Sequence, residues 1–542
     1  MHCQSSRCPH LGHDERYVHP SEPQTGAVAS GETGAEPAQR SARDDKPGTG
    51  HRTTANEHRA DDDQITAHTY EVFLTCGGGH GQEREDWLRA EQALCTAEGT
   101  ADRRRRAPSH SDPVIVRPSS EQLQRTVAVV LAGGQGERLY PLTRDRAKPA
   151  VPFGGVYRII DFTLSNCVNS GIRRIHVLTQ YKSYSLDRHI KQAWNIFSNE
   201  VGEYVDVIPP QKRSVERWYE GTADALYQNI YTLQMERPDT VLILGGDHVY
   251  KMDYGEMIAA HLTTGADVTV ACTEVPLPQA TRMGVLSIDV QGRVRSFHEK
   301  PTHPEPMADN PEVALVSMGI YVFPTATLIR EVTSGGVTGN LDFGRDVLPD
   351  MVRRGCKVTA FPFRDRNSGA VKYWRDIGTL ESYFDAHMDL VAVSPIFNLY
   401  DQGWPIHTYQ YQGPAAKTVF RDPDRKGEVL DSLVSNGCIV SGAGVEQSVL
   451  GPNVFVHSWA HLEACVVLGN VDVGRHAKIR RAIIDKGVNI PAGDRIGFDL
   501  DRDRRRFTVT DSGIVVIPKG QLIRPAQDGE VAQQASRKAP PN

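Results

Sequence analysis

Between about residue 123 and residue 400, short apolar runs alternate with longer segments whose apolar positions repeat every three or four residues. The short runs have the length of strands buried on both faces, and the periodic segments have the length of helices. This alternation is typical of a doubly wound α/β fold with a mainly parallel sheet. We therefore predict one such domain over residues 123–400.

Several elements of this domain can be placed individually. Helical spacing over Arg158–Ser170 ends at Gly171, and a second helix is predicted over Leu380–Val391. A hairpin is predicted over Gly284–Lys300, and a further strand over Ser317–Phe323. Three apolar runs are predicted as parallel strands: Val127–Ala132, Ile175–Thr179 and Thr240–Leu244.

A different repeat begins at Val440, where aliphatic residues recur every five or six positions and Gly, Asn, Asp or Pro often separate them. A repeat near six residues is typical of the left-handed parallel β-helix. A β-sandwich with irregular hairpins is the alternative. We predict the β-helix over residues 401–542, with a short C-terminal tail. The repeating positions are Val440, Val445, Leu450, Val456, Leu462, Leu468, Val473, Ile479, Ile484, Ile490 and Ile496.

Residues 1–122 contain few aliphatic or aromatic residues and many Gly, Pro, Ser, Asp, Arg and His. Such a segment cannot bury enough apolar surface to offset its ordering entropy, so we predict a disordered extension. The spacing over Glu83–Ala97 is compatible with one short helix. One histidine and cysteine cluster could hold zinc, but its spacing matches no closed zinc module. Its members are His2, Cys3, Cys8, His10 and His13.

Composition and charge exclude several classes of function. The chain has 542 residues and a net charge of −6, which gives no general attraction to nucleic acid or to anionic membranes. No apolar run approaches the ~20 residues that span a bilayer. The N-terminus lacks the apolar segment of a secretory signal, so we expect a cytoplasmic protein. The nine cysteines are scattered, as reduced thiols are.

The strand predicted to end at Ala132 runs into the glycine loop Gly133-Gly134-Gln135-Gly136. Backbone N–H groups in such a loop can face an anion, and the cations Arg138 and Lys148 follow. The loop has neither the Gly-Lys-Ser/Thr of a Walker loop nor the third glycine of a dinucleotide fingerprint, where Leu139 stands. These residues therefore predict a nucleoside triphosphate site of another kind.

Asp247 follows the third predicted strand, behind two glycines, and should lie on the same edge of the sheet as the glycine loop. A carboxylate there suits Mg²⁺ bound between the protein and triphosphate oxygens. A second acid, Asp376, could complete the site. The alternatives are that Asp247 is a turn former or helix cap, and that Asp376 only occupies the turn before the helix at Leu380.

Polar candidates for a sugar phosphate lie between these two acids. Tyr219 could pack on a sugar ring, although a buried core tyrosine is an equal alternative. Glu299 can accept hydrogen bonds from sugar hydroxyls and Lys300 can hold a phosphate, although an exposed ion pair would explain both. Ser317, at the start of its predicted strand, offers a further contact.

The pattern GGxGxRLxPLTxxxxKPxxP resembles the signature of sugar-1-phosphate nucleotidylyltransferases. The run AKPAVPFGGVYRIIDFTLSNCVNSGIRRI, followed by TQYKS, WYEGTADA, GDHVY, EKP, SMGIYVF and WRDIGT, resembles bacterial glucose-1-phosphate adenylyltransferases over roughly residues 126–513. The resemblance implies Mg²⁺-dependent transfer of AMP from ATP to glucose 1-phosphate, feeding glycogen synthesis. It also implies a homotetramer and small-molecule effectors.

The resemblance assigns a role to each candidate residue. Asp247 would be the metal-binding catalytic acid, assisted by Asp376, while Arg138 and Lys148 would serve the transferring phosphates. The implied nucleotide contacts are Gly133, Gly134, Gly136, Gln180 and Gly221. The implied glucose 1-phosphate contacts are Tyr219, Gly284, Glu299, Lys300 and Ser317.

The chain departs from its bacterial relatives where effectors bind. Asp145 stands where some relatives carry a lysine, and His407 stands where they carry an arginine. Arg146 and Arg158 are retained and could still hold an anionic effector, but fructose 1,6-bisphosphate becomes doubtful because Asp145 would repel a phosphate. Two alternatives stay open: an enzyme that uses UTP, dTTP or GTP, and a non-catalytic regulatory subunit of the same fold.

Overall fold

The computed structural model describes residues 117–211, 218–335, 342–365 and 368–524. Residues 1–116 of the predicted N-terminal extension lie outside the described residues. The predicted histidine and cysteine cluster and the predicted short helix are in this segment. Each helix among the described residues is too short or too polar to span a lipid bilayer.

The α/β part is built on a large mixed sheet. Its strands run in the spatial order β10-β9-β11-β6-β1-β4-β5, with β8 and β12 joined beside β11. The strands of this part are β1 (Thr126–Ala132), β2 (Pro152–Phe153), β3 (Tyr157–Arg158), β4 (Arg174–Thr179), β5 (Tyr204–Ile208), β6 (Thr240–Gly245), β7 (His248–Tyr250), β8 (Val268–Pro276), β9 (Gly284–Ile288), β10 (Val294–Glu299), β11 (Val313–Pro324), β12 (Val358–Pro362) and β13 (Trp374–Asp376).

Helices cover both faces of this sheet. The residues of β1 alternate between two hydrophobic clusters, with Val127 and Val129 in one and Ala128 and Val130 in the other. Burial on both faces explains why β1 reads as a continuous apolar run. The helices of this part are α1 (Ser120–Gln124), α2 (Ile159–Asn169), α3 (Tyr184–Ala193), α4 (Thr222–Gln228), α5 (Ile230–Glu236), α6 (Tyr254–Thr264), α7 (Leu277–Ala280), α8 (Thr325–Gly335), α9 (Leu348–Arg353) and α10 (Leu380–Val391).

The α/β architecture agrees with the sequence prediction, and α10 has the predicted bounds. The four strands β6, β1, β4 and β5 are parallel, whereas β11 is antiparallel to β6. The largest boundary error concerns β11: the strand predicted to start at Ser317 begins at Val313. Ser317 therefore lies inside β11, next to a register shift that extends to Tyr321.

The register of the parallel strands brings three loops to one edge of the sheet. Leu131 pairs with Gly245, and Ala132 pairs with Thr179. The three strands thus end at the same level, and the residues that follow them share one rim. A separate two-stranded ladder pairs β7 with β13 and sets Asp376 opposite His248.

The C-terminal part is a parallel β-helix. Residues with a left-handed backbone mark its corners and recur at intervals of five, six and six residues. Val456, Val473 and Ile490 stack in register, so one turn of the β-helix contains seventeen residues. The corner residues are Gly442, Gln447, Asn453, Trp459, Ala464, Asn470, His476, Arg481, Gly487 and Gly493.

The strands of the β-helix are short. They are β14 (Lys417–Val419), β15 (Glu428–Leu430), β16 (Leu433–Val434), β17 (Ile439–Ser441), β18 (Gly444–Glu446), β19 (Val449–Leu450), β20 (Phe455–Val456), β21 (His461–Val467), β22 (Asp472–Val473), β23 (Lys478–Ile484), β24 (Asn489–Ile490), β25 (Arg495–Ile496), β26 (Thr508–Val509) and β27 (Val515–Ile517). One further helix, α11 (Leu500–Arg504), precedes β26.

All eleven aliphatic positions that predicted the repeat are buried. Leu468 differs from the others, because it packs in the cluster that joins the β-helix to α10, whereas its neighbour Val467 fills the β-helix interior. This shared cluster also contains Phe384 and Ile483. The α/β part and the β-helix therefore pack against each other through apolar side chains of this cluster.

Candidate active site

A cavity of about 580 Å³ opens where β1, β4 and β6 end. It is lined by most of the residues that the sequence nominated, together with others from β9, β11 and β13. The nominated residues that line it are Gly133, Gly134, Arg138, Lys148, Gln180, Tyr219, Gly221, Asp247, Gly284, Glu299, Lys300, Ser317 and Asp376. Three nominated residues, Gly136, Arg146 and Arg158, do not line it.

A lysine and two aspartates meet at the centre of this cavity. The ammonium of Lys148 donates to Asp247 Oδ2 at 2.8 Å and to Asp376 Oδ1 at 3.2 Å. The side chain of Lys148 is 10% exposed, so these contacts are shielded from bulk water. The cluster joins the loop after β6, the segment before α2 and the end of β13, three elements that are distant in the chain.

Burial and charge act in opposite directions on this cluster. Burial disfavours the ionised carboxyl of Asp247, but the charges of Lys148 and His248 outweigh burial and lower its pKa. Burial likewise disfavours the ammonium of Lys148, and the two aspartates outweigh it and raise the pKa of that group. The Asp247 carboxylate and the Lys148 ammonium therefore both stay charged at neutral pH.

The donor set fits a divalent metal ion. Asp247, His248 and Asp376 each offer one ligand atom, and these atoms all lie within 4.8 Å of one another. Carboxylate oxygens are the donors that Mg²⁺ prefers. His248 Nε2 lies 3.4 Å from Asp247 Oδ1, and its buried Nδ1 has no hydrogen-bond partner among the described residues. The two acids would be the protein ligands of Mg²⁺, with His248 beside them.

Arg138 and Asp376 both lie beside Gly378. It belongs to the short 3-10 helix Glu137–Leu139 that follows the glycine loop. A Cβ atom at Gly378 would lie 3.5 Å from the Arg138 guanidinium and 3.0 Å from Asp376 Oδ2. Arg138 makes no ion pair with any residue in the described ranges, so its guanidinium can take a phosphate oxygen.

The glycine loop divides into two parts. Gly133 and Gly134 line the cavity, and a Cβ atom at Gly134 would meet nothing within 4 Å. Gly136 has a φ of +66°, and a Cβ atom there would lie 3.0 Å from the Lys148 side chain. Glycine at 136 therefore suits the left-handed backbone and the close approach of Lys148, and Gly136 itself does not line the cavity.

Gln180 holds the loop that carries Tyr219. Its Nε2 donates to the Tyr219 carbonyl at 3.2 Å, and its Oε1 accepts from the Tyr219 N–H at 2.9 Å. Both polar atoms of the Gln180 side-chain amide are thus hydrogen-bonded to the backbone of Tyr219. The Tyr219 hydroxyl in turn accepts from Asn229 at 2.9 Å. Gly221, at the start of α4, completes this wall of the cavity.

Glu299 and Lys300 form the opposite wall. The Lys300 ammonium lies 2.8 Å from Glu299 Oε1, and Lys300 is the more exposed partner. Two glycines make room for Glu299, because a Cβ atom would lie 3.0 Å from its Oε2 at Gly284 and 2.6 Å from it at Gly344. The carboxylate is therefore confined, while the lysine can reach into the cavity.

Ser317 lies where β11 bends toward the metal cluster. Its Oγ accepts from the Gly319 N–H at 3.2 Å. Gly319 has a φ of +70°, and a Cβ atom there would lie 3.7 Å from the His248 ring. The bend thus brings a serine hydroxyl and the histidine ring to the same side of the cavity.

Arg146 and Arg158 lie toward the β-helix instead. Arg146 makes a buried ion pair with Asp485, which precedes Lys486 in the β-helix. Arg158 donates to the Ala150 carbonyl and to Ser185 Oγ. Burial lowers the pKa of Arg158 to about 10, and burial with the nearby Arg158 and Arg146 lowers the pKa of Lys486 to about 8. Cations from both parts of the chain therefore gather here.

The residues that line the cavity but were not predicted as site residues include His248, Asp342 and Gly344. His248 directly follows the predicted metal ligand, and its position alone could have nominated it. Asp342 and Gly344 come from a segment with no recognised motif. Asp342 Oδ2 accepts from Thr222 Oγ1 at 2.9 Å, which joins this segment to the start of α4.

Comparison with known proteins gives the same two-part division. A nucleotidyl transferase family profile matches residues 127–392, and a GlmU-like C-terminal hexapeptide profile matches residues 414–517. The hexapeptide match agrees with the predicted left-handed β-helix.

Similar proteins align with about three quarters of the chain. A glucose-1-phosphate adenylyltransferase of Rhodopirellula baltica is 51% identical over 418 residues, which are 76% of this chain and 94% of that protein. Proteins of the same name from Methylococcus capsulatus and Koribacter versatilis are each 52% identical. Each of these two alignments covers 73% of this chain. They cover 94% of the Methylococcus capsulatus protein and 95% of the Koribacter versatilis protein.

Proposed function

Because this chain belongs to the glucose-1-phosphate adenylyltransferases, we propose that it transfers AMP from ATP to glucose 1-phosphate, giving ADP-glucose and pyrophosphate. The observation that carries the proposal is the cluster of Lys148, Asp247 and Asp376 at the mouth of the glycine loop. It sets cations and a metal-binding pair of acids where a triphosphate would lie.

The reaction needs no covalent enzyme intermediate. A phosphate oxygen of glucose 1-phosphate attacks the α-phosphorus of ATP and forms a new P–O bond. The bond from the α-phosphorus to the oxygen that bridges it to the β-phosphate breaks, and pyrophosphate leaves with that electron pair. The nucleophile is already an anion, so no general base is required. Catalysis then depends on alignment and charge neutralisation.

The residues around the glycine loop would act on the triphosphate. Gly133 and Gly134 let the nucleotide approach the backbone, and Arg138 and Lys148 offset charge on the transferring phosphates. Asp247 and Asp376 would hold Mg²⁺, which when bound supplies a Lewis acid for phosphate oxygens. Gln180 would act on the nucleotide through the loop that it fixes, since its amide is bonded to the Tyr219 backbone.

The opposite wall would receive glucose 1-phosphate. Lys300 would pair with its phosphate, and Glu299 would accept hydrogen bonds from sugar hydroxyls. Tyr219 and Ser317 would contact the sugar from the two flanks, and Gly284 would keep Glu299 in place. The confinement of Glu299 beside Gly284 and Gly344 supports this division of the cavity.

The cation group near Arg146 and Arg158 would bind an anionic effector. Lys486, which the β-helix contributes, would make this a site between the two parts of the chain. Asp145 pairs with Arg144 at 3.1 Å, so its negative charge is partly offset rather than directed at an effector. A homotetramer, which the resemblance implies, and a cytoplasmic location belong to the same proposal.

One assay separates the proposal from its alternatives. Purified protein is supplied with glucose 1-phosphate and Mg²⁺, and pyrophosphate release is measured with ATP, UTP, dTTP and GTP in turn. We expect release with ATP far above the other three. Preference for another nucleotide would identify a different nucleotidylyltransferase, and no release with any of them would indicate a regulatory subunit.

A further inference from the structure

Lys148 lies where a divalent ion would have to bind. Its ammonium is 2.8 Å from Asp247 Oδ2 and 3.2 Å from Asp376 Oδ1. Mg²⁺ bound to the same oxygens, at about 2.0–2.1 Å, would lie so close to the ammonium that the two positive charges would repel strongly. The ammonium and a metal ion therefore compete for one pair of carboxylates.

The backbone segments that carry Lys148, Asp247 and Asp376 are all held in place by neighbouring structure. The backbone of Lys148 is buried in the 3-10 helix Lys148–Ala150, and Gly136 packs against its Cβ. Asp376 is fixed by the ladder between β13 and β7. The N–H of Gly246, which precedes Asp247, donates to the Leu131 carbonyl at 3.1 Å. The flexible four-carbon stem of the lysine can relieve the competition without any movement of these backbone segments.

The cavity offers the ammonium a second place. Lys148 lines the same space as Gly133 and Gly134, where a triphosphate would lie. A triphosphate carries several negative charges and can draw the ammonium away from the carboxylates. We propose that Lys148 occupies the metal position of Asp247 and Asp376 until the triphosphate withdraws it, so that the divalent ion enters together with the nucleotide.

This exchange rests on the proposed function, because it requires a triphosphate beside the glycine loop. Lys148 also sits between two carboxylates whose ligand atoms lie within 4.8 Å of each other, and its positive charge offsets their mutual repulsion before substrate arrives.

The exchange can be measured by Mn²⁺ binding to the full chain without nucleotide, using the electron paramagnetic resonance signal of free Mn²⁺. We expect weak binding by the wild type and at least about tenfold tighter binding of one ion by Lys148→Met, since a like charge within a few ångströms is removed. Lys300→Met is the matched control, because Lys300 lines the same cavity but pairs with Glu299.

Three further variants make the result specific. Lys148→Arg keeps the positive charge and should bind Mn²⁺ as weakly as the wild type. The double variant Lys148→Met with Asp247→Asn should lose the tight ion. A second neutral variant, Lys148→Gln, repeats the test with a polar side chain, and Mn²⁺ should raise the melting temperature of each neutral variant but not that of the wild type.

Tight Mn²⁺ binding by the wild type without nucleotide would overturn the exchange, as would equal binding by Lys148→Arg and Lys148→Met. Pyrophosphate release by the wild type is measured separately. A wild type that transfers AMP but already binds Mn²⁺ tightly would contradict only the exchange, whereas one that releases no pyrophosphate would contradict the proposed function.

Discussion

Arg146 and Asp485 form a buried ion pair between the α/β part and the β-helix, with three N–H···O contacts of 3.0 Å each. The side chains are 6% and 1% exposed, so neither charge can be solvated if its partner is lost. Arg146 therefore contributes to the join between the two parts, in addition to any contact with an effector.

Asp485→Asn should destabilise the protein by about 3–5 kcal/mol, because it leaves the Arg146 guanidinium buried without a counter-charge. The measurement is the midpoint of unfolding in urea. Arg144→Gln is the control, since Arg144 and Asp145 form an exposed pair that should contribute less than ~1 kcal/mol. Equal midpoints for the wild type and Asp485→Asn would show that the buried pair contributes no stability.

Asp247→Asn should reduce turnover at least about a hundredfold while the fold stays intact. The substitution removes the negative charge of a carboxylate that is both a predicted metal ligand and a partner of Lys148. Pyrophosphate release at ordinary Mg²⁺ measures the effect, and circular dichroism checks the fold. Asp239→Asn is the matched control: Asp239 pairs with Arg125 on the surface. Near-normal turnover of Asp247→Asn would refute the metal role.

Lys300→Ala should mainly raise the KM for glucose 1-phosphate, by roughly tenfold or more, because a charge-assisted contact to its phosphate is lost. The KM for ATP should change much less. Lys191→Ala, which removes an exposed lysine paired with Asp187 on α3, should leave both constants unchanged. If Lys300→Ala leaves the KM for glucose 1-phosphate as it is, the sugar phosphate binds elsewhere.

His387 should make stability depend on pH. Burial lowers its pKa from the ordinary 6.5 to about 4, and its Nε2 accepts from the Gly154 N–H. The unfolded chain therefore binds more protons between these values, and the unfolding free energy falls as pH drops from 6.5 toward 4, by up to ~1.4 kcal/mol per pH unit.

His387→Gln should make this pH dependence shallower, as measured by urea unfolding at several pH values in that range. His303→Gln, at an exposed position, is the control and should leave the dependence unchanged. An identical pH dependence in the wild type and His387→Gln would mean that His387 is not protonated on unfolding.

Local sequence patterns were enough for the regular elements. The predicted strands ending at Ala132 and Thr179 lie within one residue of the observed bounds, and Gly171 has the left-handed backbone expected after a helix. Hydrophobic spacing succeeds here because each element buries a face whose period matches its own geometry. The bend in β11 escaped prediction, because the position of Ser317 depends on strands that pair with it from elsewhere in the chain.

The sequence by itself determined the kinds of element, the glycine loop and the residue types that suit a nucleotidyl transfer. These features depend on neighbours in the chain. Only the tertiary structure decided that Lys148 bridges Asp247 and Asp376, that the Gln180 amide is bonded to the Tyr219 backbone, and that Arg146 is paired with the β-helix. Such contacts join residues far apart in sequence, and strand register and packing set their distances.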